Sequence, residues 1–286
     1  MNDGLAFVKV EGAGNDYVLV DATTQDVPHP GALSVAVSDR HRGVGSDGLL
    51  LLEDGGEDFA ASMRIFNADG SEGRMCGNGL RCVVRYLVEQ GRAPAESVPV
   101  WTAAGPRSGR LLTKNEVEIG MGVPSFDPAE VPVDARPGPD GLVALPVSEA
   151  WRADPEVAFA VSVGNPHLVV RQRDPAAVDA FDLAEHGARL GDDPRLTEGA
   201  NVHAVAEVGS DHLHVRPFER GSGLTRACGT GAVAVAVVAA CLGWVEGDTF
   251  RVDMPGGSLG VRWSGSGEAF LRGPAQLAFQ GVWPLS

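Results

Sequence analysis

Short apolar runs, four to eight residues long and closed by glycine, proline or charged residues, recur along this chain. FVKV at 7–10, YVLVD at 17–21, LLLLE at 49–53 and VEIGM at 117–121 precede a proline-rich stretch; FAVSV at 159–163, HLVVR at 167–171, NVHAVAEV at 201–208 and LHVRPF at 213–218 follow it. Runs of this length predict β-strands, so both halves are strand-rich. Two segments obey a different rule. Leu80, Val83, Val84, Leu87 and Val88 recur at i, i+3, i+4, i+7 and i+8, which places them on one side of an α-helix, with Gly91 as a left-handed stop. Residues 232–242 are apolar on every side and end at Gly243. Such a helix needs cover around its whole circumference, as a sheet curled about it would provide, and it is too short to span a bilayer.

The stretch from 123 to 146 holds six prolines, at 124, 128, 132, 137, 139 and 146. It predicts turns and extended connection rather than helix, and a domain boundary near its start. The two flanking halves repeat one another. FNADGSEGRMCGNG at 66–79 matches FERGSGLTRACGTG at 218–231 without a gap, a constant offset of 218 − 66 = 152, and AGNDYVLV at 13–20 matches VGNPHLVV at 163–170 at 163 − 13 = 150. Two similar domains are expected, in keeping with 286 residues at about 150 per domain.

Charge narrows the partner. With 23 Lys and Arg against 38 Asp and Glu, the net charge is −15, a poor match to nucleic acid or an anionic membrane and a better one to a small molecule. The only lysines are Lys9 and Lys114, which weakens any cofactor-imine chemistry. Cys76, Cys82, Cys228 and Cys241 form no CxxC pair, and the opening MNDGLAFVKVEG lacks a basic and then apolar leader. A reducing cytoplasm is expected.

The repeated Cys-Gly turns carry the chemistry. A cysteine just before a helix sits where unpaired N–H groups and the helix dipole favour thiolate, so Cys76 and Cys228 are expected to have lowered pKa values and to act as bases. Gly77 and Asn78 after one, and Gly229 and Thr230 after the other, would aim N–H groups at a bound anion. The bland alternative for one CGxG is a small buried cysteine before a glycine turn; the matched pair argues against it. Cys82 and Cys241 read as core packing. GVGSDG at 43–48 fits GxGxxG, but it follows SDRHR and precedes LLLLE, so the strand and helix of a dinucleotide site are missing and it reads as a turn. His212 and His214 would share a solvated strand face, with no matching ligand set for a metal. Asn15, Asn67, Asn165 and Asn201 each stand beside turn formers and could serve the backbone alone. Glu219 and Arg220 could be an exposed pair, yet the repeat lays Glu219 over Asn67 beside each cysteine segment.

On GAGNDYVLVD at 12–21, RGVGSDG at 42–48, FNADGSEGRMCGNGLR at 66–81, GNPH at 164–167 and ERGSGLTRACGTGA at 219–232, the chain resembles the diaminopimelate epimerase family. That superfamily also holds proline racemases, hydroxyproline epimerases and phenazine-pathway isomerases. The resemblance implies an α/β (α+β) fold of two pseudo-symmetric domains, 1–122 and 123–276, with 277–286 returning to the first. Each is a mostly antiparallel barrel-like sheet around a central helix, with the active site in the interdomain cleft. It implies a cytoplasmic homodimer needing no cofactor and no metal, in lysine and peptidoglycan precursor synthesis. Cys76 and Cys228 would be the acid and base, with His167 and Glu219 tuning them. Asn15, Asn67, Gly77, Asn78, Asn165, Asn201, Glu219, Arg220, Gly229 and Thr230 would bind substrate. One departure stands out: some relatives carry a ligand-contacting glutamine where this chain has Gly48. The rivals are another amino-acid racemase of the same fold and, from a different class, a thiol redox sensor in which Cys76 and Cys228 pair.

Overall fold

The computed structural model describes residues 4–151 and 153–284. It divides into two compact units, one reaching to Gly120 and resuming at Arg272, the other running from Met121 to Leu271.

In the first unit β1 (Gly4–Gly12) turns into β2 (Asn15–Asp21), and α1 (Pro30–Ser38) leads to β3 (Gly48–Glu53), β4 (Ala61–Asn67) and the short β5 (Glu72–Gly73). Then come α2 (Gly77–Glu89), β6 (Val98–Thr102), β7 (Gly105–Thr113) and β8 (Glu116–Gly122). The second unit opens with β9 (Val143–Pro146), β10 (Ala153–Ser162) and β11 (Pro166–Gln172), continues through α3 (Pro175–Ala180) and α4 (Leu183–Gly191), and reaches β12 (Asn201–Gly209), β13 (His212–Glu219) and β14 (Gly223–Leu224). It ends with α5 (Gly229–Cys241), β15 (Thr249–Met254), β16 (Gly257–Arg262) and β17 (Ala269–Pro274), after which β18 (Gln276–Pro284) closes the chain. Every apolar run singled out above lies in a strand, save Val163 at the end of FAVSV, and both predicted helices form.

The two units share one pairing scheme. β1 and β2 are antiparallel, β2 and β3 parallel, β3 and β4 antiparallel, and β4 and β6 parallel. β10 to β11, β11 to β12, β12 to β13 and β13 to β15 repeat that order. The extra strand is supplied differently: β18 lines the free edge of β1, whereas β9 lines that of β10. The sequence repeat is therefore a repeat of topology.

Each long helix is wrapped by its own sheet. α2 packs against β1, β2, β4, β6, β7 and β18, and α5 against β10, β11, β12, β13, β15 and β16. The polar alternation of a surface helix is consequently absent from α5, where Ala232 through Ala239 are all buried. In α2 the wrapping extends to Arg81 and Arg85, whose guanidinium groups are accepted by the carbonyls of Pro274 and Ala275. The shorter helices cover outer faces, α1 over β2, β3 and β4, and α3 and α4 over β12 and β13. No described helix is long and apolar enough to cross a membrane.

One expectation fails. Cys241 is exposed, because cover of α5 ends at Ala239 and its last turn emerges from the sheet; Cys82 is buried as expected.

Leu50 in β3 is fully buried, and its side chain fills the space beside Gly79 at the start of α2. Leu50→Ala is expected to cost about 3 kcal/mol, read as a lower urea midpoint at unchanged slope; a shift worth under about 1 kcal/mol would show that this contact does not hold the helix.

Candidate active site

A tight hairpin sets the first cluster. Ala13 and Gly14 both have positive φ, 55° and 84°, as a two-residue type I′ turn requires, and the turn delivers Asn15 to the start of β2. Asn15 donates to Asp47 Oδ2 at 2.9 Å and accepts from the Asn78 amide at 2.5 Å. Asn78 in turn accepts from Arg81 at 2.8 Å. Arg40 holds the other oxygen of Asp47. The chain of donors and acceptors fixes which way both amides point.

Cys76 is the N-cap of α2. Its sulfur accepts from the backbone N–H of Gly79 at 3.3 Å and lies 3.0 Å from the hydroxyl of Tyr17. Burial, and then the nearby charge of the Cys76 sulfur, pushes the Tyr17 phenol well above its ordinary range. The phenol keeps its proton at neutral pH and can donate it to the Cys76 sulfur. Arg81, fully buried, has its pKa lowered by burial, against which the Cys82 and Cys76 sulfurs act.

Cys228 caps α5 in the same way, accepting from Gly231 N–H at 3.3 Å, with the Thr230 hydroxyl at 3.5 Å. In both helices the third N–H goes to sulfur and the fourth to the cysteine carbonyl. Helix geometry leaves the first two, from Gly77 and Asn78 and from Gly229 and Thr230, without an intrahelical acceptor. They can take an anion.

The cap does not lower the Cys228 pKa as the sequence suggested. Burial pushes this thiol well up, and the Glu219 carboxylate beside it adds to the effect, outweighing the Thr230 and Gly231 hydrogen bonds. Glu219 is itself raised by burial, while Thr225, at 2.5 Å, and Cys228 donate to it and oppose that rise. Without substrate, Cys228 is a thiol that donates to Glu219.

His167 continues the second cluster. Its Nε2 lies 2.9 Å from Asn165 Oδ1 and its Nδ1 2.9 Å from Nε2 of His203. Burial holds His167 well below the usual imidazole range, with the His203 charge adding to it, and burial holds His203 down to about 3. Asn201 accepts from the backbone N–H of Arg220 at 2.9 Å, and the Arg220 guanidinium donates to the Glu198 carbonyl.

The other motifs settle as follows. Glu219 and Arg220 do not pair; each has separate partners. Asn67 turns back to Ser71 in its own loop. Gly48 stands opposite Asn67 on β4, where a Cβ would come within 2.3 Å of the Phe66 carbonyl, so no side chain fits this backbone. GVGSDG is a turn into β3. His212 and His214 each hold one aspartate, Asp253 and Asp179. Tyr17, Asp47, Arg81, His203 and Thr225 were not singled out in the sequence. A signal for His203 existed: Asn-x-His occurs at 165–167 and again at 201–203, on adjacent parallel strands.

Solved structures of low sequence identity share this fold. A phenazine biosynthesis protein of the PhzF family from Bacillus anthracis superposes with a TM-score of 0.73 at 15% identity, covering 98% of this chain and 99% of that one. A hydroxyproline epimerase from Agrobacterium vitis superposes with a TM-score of 0.68 at 16% identity, covering 99% and 93%. The sequence profile of the diaminopimelate epimerase family matches residues 7–126 and 159–278, again 152 apart. A diaminopimelate epimerase of Xanthomonas euvesicatoria is 40% identical over 98% of this chain and 96% of its own length, and one of Cyanothece is 36% identical over 97% and 99%. The chain belongs to the diaminopimelate epimerase family, a family of isomerases.

Gly231 tests the packing at the second cap, because a Cβ there would stand 2.3 Å from Cε1 of His203. Gly231→Ala is expected to destabilise by about 2 kcal/mol despite alanine's better helix propensity. Most of that loss should vanish in a His203→Ala background; an equal loss in both backgrounds would mean that the ring is not what excludes the side chain.

Proposed function

We propose that this protein interconverts LL- and meso-2,6-diaminopimelate without a cofactor, with Cys76 and Cys228 as the acid–base pair, in lysine and peptidoglycan precursor biosynthesis. One observation carries this reading: in each of two topologically equivalent units a cysteine sulfur caps the buried helix, in a chain 40% identical to a diaminopimelate epimerase.

Inversion at an α-carbon needs one group to remove the proton and a second to deliver another from the opposite side. Cys76 has the surroundings of the base, since the Gly79 N–H donates to its sulfur, the Tyr17 hydroxyl stands within hydrogen-bond distance and the Arg81 charge is near. Cys228 has those of the acid, with its thiol donating to Glu219. In the reverse direction the roles exchange. The α-carboxylate is bound by the N–H groups of Gly77, Asn78, Gly229 and Thr230, which offset charge that develops on the carbanion.

The distal end falls to Asn15, Asn67, Asn165, Asn201, Glu219 and Arg220. The oxygens of Asn15, Asn165 and Asn201 are already taken by Asn78, His167 and Arg220. Amide N–H groups are what these residues have left to offer, and they suit a second carboxylate. His167 orients Asn165 and, with Glu219, sets the environment of Cys228. The family likeness supports a homodimer, and four cysteines that form no CxxC pair suit the cytoplasm.

Incubation with diaminopimelate in heavy water should place deuterium at the α-carbon, with proline and hydroxyproline turned over far more slowly. Cys76→Ala or Cys228→Ala should lower turnover about a thousandfold. Absence of exchange would leave the redox-sensor reading, preference for proline would move the substrate, and full activity in either mutant would refute the two-base assignment. Tyr17→Phe should slow alkylation of Cys76 at neutral pH about tenfold, because a hydrogen bond to a charged group is worth about 1.5–3 kcal/mol. An unchanged alkylation rate would remove Tyr17 from the site.

A further inference from the structure

Three buried side chains of the second unit have more ligand capacity than proton transfer uses. We infer that His167, His203 and Cys228 form a site for a soft divalent cation of the zinc class, and that its occupancy withdraws Cys228 from proton transfer. The inhibitory consequence rests on the role of Cys228 proposed above; the binding of the cation does not.

Each of the three offers one ligand atom, and these atoms all lie within 4.8 Å of one another. Ligand atoms around tetrahedral zinc stand roughly 3.3–3.8 Å apart, given metal distances of about 2.0 Å to nitrogen and 2.3 Å to sulfur. An inward adjustment of about 1 Å or less therefore assembles the set. Two imidazoles and a thiolate are the donors that zinc prefers over magnesium or calcium, and three protein ligands leave a fourth position for water.

The hydrogen-bond direction supplies a second, independent observation. Asn165 presents an oxygen, so His167 must carry its proton on Nε2 and leave Nδ1 bare. Without the cation His203 then donates from Nε2 to that nitrogen, which leaves its own Nδ1 bare; coordination by His167 Nδ1 opens this hydrogen bond. That Nδ1 is buried and has no hydrogen-bond partner among the described residues. An orphaned lone pair in a protein interior calls for a missing partner, such as an ion or a water. Gly231 strengthens the case for a fixed ligand: His203 occupies the space that a side chain would fill, so its ring is held against the start of α5. Coordination displaces the thiol proton of Cys228, and the Glu219 carboxylate beside the resulting thiolate offsets the remaining cationic charge.

Cobalt(II) titration of the reduced, full-length protein reads the site directly. One equivalent should produce a sulfur-to-cobalt charge-transfer band in the near ultraviolet. The band should be lost in Cys228→Ala and kept in Cys76→Ala. His203→Gln should weaken cobalt binding about a hundredfold. Zinc should protect Cys228, but not the exposed Cys241, from alkylation in the unaltered protein, a measurement that stands even where the His203 variant does not fold. Zinc should slow epimerisation over the same concentration range. A band that survives Cys228→Ala, weak multi-site binding without a band, or no protection of Cys228 would overturn the proposal. A protein that shows the band yet fails to exchange deuterium would instead refute the catalytic reading and leave the metal site standing.

Discussion

Sulfur acting as a helix cap is the interaction from which the rest of this structure follows. Cysteine is a weak acceptor beside serine or aspartate, yet Cys76 and Cys228 both take the cap position and bind the third N–H of their helices. That bond fixes the sulfur at the helix start and leaves the first two N–H groups for an anion. The remaining architecture holds those starts in place: a sheet wraps each helix, strand ends deliver asparagines beside the caps, and glycines at the third helical position let Leu50 and His203 pack closely.

The same topology surrounds the two sulfurs with different side chains. Around Cys76 lie the Tyr17 hydroxyl, the Gly79 N–H and the charge of the buried Arg81. Around Cys228 a buried carboxylate, Glu219, favours the thiol. The divergence is concentrated in a few substitutions on one scaffold, with Glu219 where the other half has Asn67 and Thr225 where it has Gly73.

Much of this was legible in the chain itself. Strands were visible as short apolar runs, the helices by period and by the glycines that end them, and the caps by the repeated Cys-Gly step. Arg81 was not. Periodicity treats an arginine beside Leu80 as solvent-facing, and its burial depends on the carbonyl of Pro274, from a strand nearly the whole chain away. The pKa direction at Cys228 was misjudged for a similar reason, since the helix dipole is local and predictable whereas burial and the approach of Glu219 come from the fold. Cys241 was misplaced because apolar composition says nothing about where a surrounding sheet stops.

The pairing of β1 with β18 carries a consequence for synthesis. Gly4 lies opposite Pro284, so the first strand meets its outer neighbour only once β18 has been synthesised. The second unit ends at Leu271 and can close earlier. Throughout that interval the nascent amino-terminal unit shows one unzipped strand margin, the kind of surface that recruits stray chains.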